Sequence, residues 1–329
     1  MMRLTCQLSG RNNLSGVALA RIGRGAAALM VLLLMCLPAW AQDSARDAEG
    51  YAIFVSQRNG SAELYLLDLN TRQVSQLTNT GRGHVSPMVA TQSQTLVFAS
   101  RQGAGYELFR GEISPSWRTR RPTLVGLNRL TTNVMDEYSP SVTADGGMIA
   151  FSSGVGIELM SSLGFGRQLI LPATAEYSDL SPAISPDGKS VAFVSNRGGG
   201  GFDLWLYVRA TSEMRQLTRG AGALGGLSWS GDSKRIAFTT TATNSESSGI
   251  ALAEVESGGF RILSDRNDTS PALSARGDRI LFTSSRDGDP ELYMLYLSTG
   301  RVERLTNSAG LDDSPSFLAV PARPGRTTP

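Results

Sequence analysis

"SPAISPDGKSVAFVSNRGGGGFDLW", residues 181–205, places a turn signal between two short apolar runs, then a Gly-rich break, then a third run. The runs "SPAIS", "SVAFVS" and "FDLWLYV" alternate with period two and are rich in β-branched and aromatic residues, which is strand patterning. "PDGK" between the first two is a tight turn. Laid over the rest of the chain, the stretch recurs. Ser-Pro stands at Ser86-Pro87, Ser139-Pro140, Ser181-Pro182, Ser270-Pro271 and Ser314-Pro315. A sixth copy, "GLSWSGDSKRIAFTT", aligns through Lys234 on Lys189 and puts Gly226 where Ser181 stands. The registers are spaced by 53, 42, 45, 44 and 44 residues. Periods of about 40–45 residues mark propeller blades, each a four-stranded sheet.

Each unit supplies four strands. The second reads "TLVFAS", "MIAFSS", "RIAFTT" or "RILFTS", the third "ELYLLDL" or "ELYMLYL", and the fourth ends in "QLT", "RLT" or "ILS". The two ends of the chain complete the count. The last Ser-Pro unit, "SPSFLAV", has one strand, and the first segment from Tyr51 has three. The expected fold is therefore all-β. It is a six-bladed β-propeller of four-stranded antiparallel blades, its ring closed by the C-terminal strand pairing with the N-terminal ones. Closure removes exposed sheet edges, so loss of the last strand should open the ring.

The N-terminal 41 residues read as a targeting segment. Arg3, Arg11, Arg21 and Arg24 precede an apolar run over 26–37 and the small-x-small site Ala39-Trp40-Ala41. The run is shorter than the roughly 20 residues of a membrane span. A cleaved signal peptide over 1–41 is expected, with an uncleaved anchor as the alternative. A linker over 42–50, a propeller over 51–320 and a disordered tail over 321–329 follow. Cys36 comes after Met35 rather than a small residue, which argues against lipidation. The full chain has 31 basic and 29 acidic residues, but without the four leader arginines the balance is 27 to 29. That removes the basic character expected of a nucleic-acid binder. Cys6 and Cys36 both leave with the leader, so the exported chain has no disulfide and no thiol chemistry. A periplasmic monomer with no stable membrane span is the expectation.

The pattern "SPxxSPDGKxxAFxSxRxGxxDLWxxxxxxxxxRQLT" resembles the WD-repeat-like propeller of the TolB family, periplasmic proteins of the bacterial cell envelope. The resemblance covers residues 51–320. The segment 42–50 is too short to hold the α/β domain that precedes the propeller in that family. The resemblance implies a six-bladed ring and a role in holding an envelope protein partner.

Candidate sites follow from the repeat. His84, Asp136, Glu137, Asp179, Asp268, Asp312 and Asp313 stand just before the Ser-Pro steps, where the loops gather at one mouth of the central channel. Such a ring could bind a partner or ligand, and its oxygens suit a hard cation such as calcium. The plainer reading is turn capping by Asp side chains. Repeated pairs Arg58/Glu63, Arg101/Glu107, Arg197/Asp203 and Arg286/Glu291 read as hairpin-stabilising ion pairs. Tyr65, Phe109, Trp205 and Tyr293 share one register and are expected to pack between blades, and Trp229 to lie in the core. The long second unit carries an insertion with Trp117, Arg118, Arg120 and Arg121, residue types that anchor interfaces. Its plainer reading is a surface loop.

"GGGG" at 198–201 lies between strands with no helix after it, so it is a hairpin and not a phosphate loop. One histidine and no thiol leave few nucleophile–base arrangements. Lyases with a similar repeat rely on several histidines at a metal, and these are lacking. A non-catalytic binding or scaffold protein is expected, with no resident cofactor. The alternative is a carboxylate-based hydrolase acting on envelope glycans or peptides from the channel mouth.

Overall fold

The computed structural model describes residues 50–114, 121–132, 135–241 and 247–319. The expected leader, most of the linker, the tail, and Trp117, Arg118 and Arg120 lie outside these residues. Every regular element among the described residues is a β-strand. None is a helix long and apolar enough to cross a membrane.

Blade 1 begins with β1 (Tyr51–Ser56), β2 (Glu63–Asp68) and β3 (Val74–Gln76). Blade 2 is β4 (His84–Val89), β5 (Thr95–Gln102), β6 (Gly105–Ser114) and β7 (Thr123–Arg129). Blade 3 is β8 (Tyr138–Val142), β9 (Met148–Ser153), β10 (Gly156–Ser161) and β11 (Gln168–Pro172). Blade 4 is β12 (Asp179–Ile184), β13 (Ser190–Ser195), β14 (Asp203–Val208) and β15 (Glu213–Gln216). Blade 5 is β16 (Ala223–Trp229), β17 (Arg235–Thr241), β18 (Ser248–Glu254) and β19 (Phe260–Ser264). Blade 6 is β20 (Asp268–Leu273), β21 (Arg279–Ser284), β22 (Glu291–Tyr296) and β23 (Val302–Arg304). The last strand, β24 (Asp312–Leu318), pairs antiparallel with β1 and completes blade 1 in the order β24-β1-β2-β3. The ring is closed by its two ends, as the strand count requires.

Central strands are buried on both faces because each blade is packed against two others. Phe54, Phe98, Phe151, Phe193, Phe238 and Phe282 hold one register of the second strands and are all buried. The apolar core divides into six clusters, each at a seam between neighbouring blades. At one, Ile53, Leu64 and Leu66 of blade 1 meet Val89, Leu96 and Phe98 of blade 2. Tyr293 stacks on Phe282, Tyr65 lies tilted beside Phe54, and both tyrosines join the seam clusters. Phe109 and Trp205 pack against two other seams. Full burial of such a side chain contributes about 1.5–3 kcal/mol.

The terminal "LT" of the units is a hydrogen-bonding device. Thr78, Thr131, Thr218 and Thr306 accept the backbone N–H of Leu64, Leu108, Leu204 and Leu292. Thr218 and Thr306 also donate to Asp203 and Glu291. In these two the hydroxyl both accepts and donates, and the end of the outer strand is fastened to the third.

The Ser-Pro step is a bulge. Ser86, Ser139, Ser181, Ser270 and Ser314 all have φ between 51° and 54°, the left-handed region, and Gly226 sits at 61°. The strand register slips at the same place in each blade, for example between Leu180 and Ala183. Gly226 explains why one copy lacks serine. A Cβ there would stand 3.0 Å from Thr239 Oγ1 and 3.2 Å from Pro271 Cδ.

Inner strands are also joined directly. Ser316, Ser141 and Ser228 accept the N–H groups of Val89, Ile184 and Leu273 on the next blade. The other three blades carry Met88, Ala183 and Ala272 at that register. These serine bonds join blades 1–2, 3–4 and 5–6, while backbone bonds such as Gln92 N–H to Ala144 O, Ala223 N–H to Phe202 O and Asp312 N–H to Pro290 O cross the other three seams. The seam between blades 4 and 5 has a substitute of its own. Pro186 has no N–H to give, and Trp229 Nε1 donates to Ala183 O at 2.9 Å.

Candidate functional site

The six inner strands surround an axial channel. Their Ser-Pro bulges line a cavity of about 200 Å³, bounded by the five serines and five prolines together with Met88, Ser141, Gly226 and Leu227. Beyond it the channel narrows to about 60 Å³ among Val89, Val142, Ile184, Trp229, Leu273 and Phe317. One end is polar and roomy, and the other is apolar and nearly filled.

The acids expected at the mouth are placed differently from one another. Asp312 and Asp268 are fully buried, and each takes a two-oxygen grip from one arginine Nη2. Arg58 holds Asp312 at 2.9 and 3.1 Å, and Arg286 holds Asp268 at 2.7 and 2.9 Å. Arg197 binds Asp179 within blade 4 through one oxygen only, Oδ2. Each guanidinium lies over the second-strand phenylalanine of its blade, Phe54, Phe282 or Phe193. These arginines thus turn inward to the first strand. They do not pair with the third-strand acids Glu63, Asp203 and Glu291, as the sequence spacing suggested. Those acids face outward to the threonine device. Asp203 and Glu63 also cap the loop N–H groups of Ala221 and Gly81. Arg129 and Arg304 reach Glu107 and Glu291 from the outer strand.

Blade 3 reaches the same arrangement from another direction. It has no arginine after its second strand. Arg167, just before β11, bonds Glu158 and the buried Glu137 and lies over Phe151. Burial pushes the Glu158 carboxyl up, but hydrogen bonds from Arg167 and Ser153 outweigh it and hold the pKa below the usual glutamate range.

Blade 2 has His84 at this register. It is buried, edge-on to Phe98, with Nε2 3.0 Å from Thr80 Oγ1 and 3.3 Å from Glu63 Oε2 of blade 1. Burial lowers the His84 pKa, and Glu63 opposes this only in part. Glu63 itself lies below its usual range because hydrogen bonds from Thr78, Gly81 and Thr80 exceed the cost of burial.

Two of the expected mouth acids remain within reach of solvent. Asp136 is exposed and accepts the Tyr106 N–H at 2.7 Å. Asp313 is half-buried between Thr283 Oγ1 at 2.7 Å and Ser314 Oγ at 3.1 Å. The other five expected residues are committed inside the blades, because an unpaired charge there would be costly. Among the described residues no group of three His, Cys, Asp or Glu side chains is arranged to hold a metal ion. Arg121 of the insertion donates to Gln73 Oε1 at 2.7 Å, on blade 1.

What sequence reasoning missed is apolar. Tyr138, Leu180 and Leu224, on three successive blades at the mouth, are 40%, 38% and 52% exposed. Met135 and Val155 add to the same end of blade 3, where Met135 Sδ lies against Gly154. Part of the signal was present in the register. Tyr138 and Leu180 stand just before Ser-Pro, and Leu224 is the extra residue where the blade 5 register slips between Ala223 and Gly225, whereas Val85, just before Ser-Pro in blade 2, is half-buried against the core.

No family model matches the chain. By sequence it is similar to a protein TolB homolog of Chlorobium chlorochromatii, 27% identical over 308 residues, covering 87% of this chain and 66% of that protein. The chain thus spans just under two thirds of that relative's length. By structure it is similar to TolB from Acinetobacter baumannii, with a TM-score of 0.66 at 16% identity, covering 89% of this chain and 70% of that one. An oligogalacturonate lyase in complex with manganese shares the fold at a TM-score of 0.53 and 16% identity, over 76% of this chain and 86% of that one. The propeller is TolB-like.

Proposed function

We propose that the protein is an exported, non-catalytic binding or scaffold protein of the bacterial cell envelope. It works in the periplasm and holds a protein partner at the Ser-Pro mouth of its channel. The observation that carries this reading is the apolar arc of Tyr138, Leu180 and Leu224 beside that mouth. Isolated exposed apolar residues need no explanation, but a set gathered at one opening marks an interaction surface. The TolB-like propeller and the signal-like leader favour the envelope setting.

Binding is favoured over hydrolysis by the state of the carboxylates. Asp268 and Asp312 are buried and doubly bonded to arginine. A general acid or base must instead be free to exchange a proton with its substrate.

The test is site-specific photo-crosslinking in intact cells. Probes at Leu180 and Leu224 should capture the same envelope protein, and Leu180→Asp should abolish capture from Leu224. Equal capture from Val302, on the outer strand of blade 6, would count against a mouth-directed function. Fractionation showing the mature chain in the cytoplasm would overturn the envelope assignment.

A further inference from the structure

The Ser-Pro cavity itself has a chemistry that the apolar arc does not. Five left-handed serines around one axis are unusual, because non-glycine residues seldom adopt positive φ. Such strain tends to be kept where it positions something. Here it brings serine hydroxyls to a shared space. Those of Ser86, Ser139, Ser181 and Ser270 have no side-chain partner among the described residues. The fifth, Ser314, bonds Asp313 Oδ2 at 3.1 Å. No charged residue lines the cavity. Asp313 is the one carboxylate bonded to its wall among the described residues, and it sits on the mouth side.

We propose that this cavity is a socket for the ammonium-tipped side chain of a lysine supplied by the docked partner. The inference rests on the mouth-binding reading above. Volume decides against a larger ligand. Sites for drug-sized molecules run from about 300 Å³ upward, and this cavity has about 200 Å³. One long side chain fits, but a folded segment does not.

Charge and geometry then choose among side chains. Serine hydroxyls can donate or accept, but the neighbouring Asp313 carboxylate disfavours an anion and favours a cation. An arginine fork is matched to a planar carboxylate or phosphate, and the wall offers neither. An ammonium carries three rotatable donors and no acceptor, which suits a ring of unpartnered hydroxyls.

The probe is n-butylammonium, titrated into the purified protein and followed by NMR, with n-butanol and butyrate as neutral and anionic counterparts. Butylammonium should shift resonances of the Ser-Pro residues. Its affinity should fall at least fivefold in Asp313→Asn, and also in the Ser86→Ala/Ser181→Ala double variant. Both variants must keep the parent melting temperature. Equal binding of butanol or butyrate overturns the socket, as does undiminished binding in Asp313→Asn. Calcium binding that excludes butylammonium would reassign the cavity to a metal ion and overturn it too. The two readings fail separately. If Leu180→Asp abolishes crosslinking while butylammonium does not bind, the mouth function stands and the socket falls. If butylammonium binds but Leu180→Asp leaves crosslinking intact, the mouth function falls and the cavity is only a site for free amines.

Discussion

Arg58 Nη2 lies 2.9 and 3.1 Å from the two carboxylate oxygens of Asp312, a residue 254 positions away along the chain. The contact joins the first hairpin to the last strand, and it is made where the ring has to close. Blade 6 makes the same two-oxygen contact, and blade 4 a one-oxygen version of it, between residues only 18 apart. A device that is local elsewhere becomes the clasp of the whole molecule in blade 1.

Breaking the clasp should therefore be expensive. Asp312 is fully buried and Arg58 is mostly covered, so Arg58→Ala should cost about 3 kcal/mol by stranding a charge. The check is the midpoint of urea unfolding. Arg58→Met with Asp312→Leu should recover much of the loss, because no charge is then left without a partner.

Stability should respond to the single histidine. Burial holds the folded-state pKa of His84 below its ordinary value of 6.5. The unfolded chain then takes up the proton first. The stabilising contribution is complete above about pH 6.5 and is lost as the pH falls through the lower folded value. His84→Gln should flatten this part of the profile of unfolding free energy against pH. The loss due to Glu63, whose pKa is lowered from 4.5, appears in more acid solution and should remain.

The left-handed ring makes opposite predictions at two equivalent positions. Gly226→Ala forces a side chain into positive φ and against Thr239 and Pro271, and should destabilise by more than about 1 kcal/mol. Ser181→Gly relieves the left-handed strain but adds unfolded-state freedom, and should change stability by less than about 0.5 kcal/mol. Calorimetric melting of both variants decides the point.

The threonine device can be probed at one site. Thr306 accepts the Leu292 N–H at 3.0 Å and donates to Glu291 Oε2 at 2.5 Å, all buried. Thr306→Val keeps the shape and removes both bonds. It should cost about 1–3 kcal/mol, because a buried N–H and a buried carboxylate each lose a partner. Hydrogen exchange should quicken at Leu292 in particular.

The fold was legible because a propeller repeats its instructions. The Phe of "AFVS", the Thr of "QLT" and the turn at "PDGK" each have one structural task, performed again in six, four and five blades respectively. The pairing of charges was less legible, because spacing along one strand says nothing about the third dimension. Arg58 has Glu63 five residues ahead, yet it reaches Asp312 on the inner strand. The acids before Ser-Pro looked available because their loops converge, but strand alternation turns Asp312 inward and leaves Asp313 half outside. The exposed Tyr138 and Leu180 stand at the register of Asp313, whereas Leu224 is the extra residue where blade 5 slips between Ala223 and Gly225. Arg167 was beyond sequence reasoning, since it fills in blade 3, from the connection just before the outer strand, a place that other blades fill from a hairpin.

The serine bonds between inner strands give the circle a grain. Ser316, Ser141 and Ser228 tie six blades into three couples. A gene recut so that the chain starts and stops between Thr218 and Ala223 would sever no couple, whereas a cut between Ser264 and Asp268 would divide one. The first permutant should assemble more readily than the second, because it keeps both partners of every serine bond on one uncut run of chain.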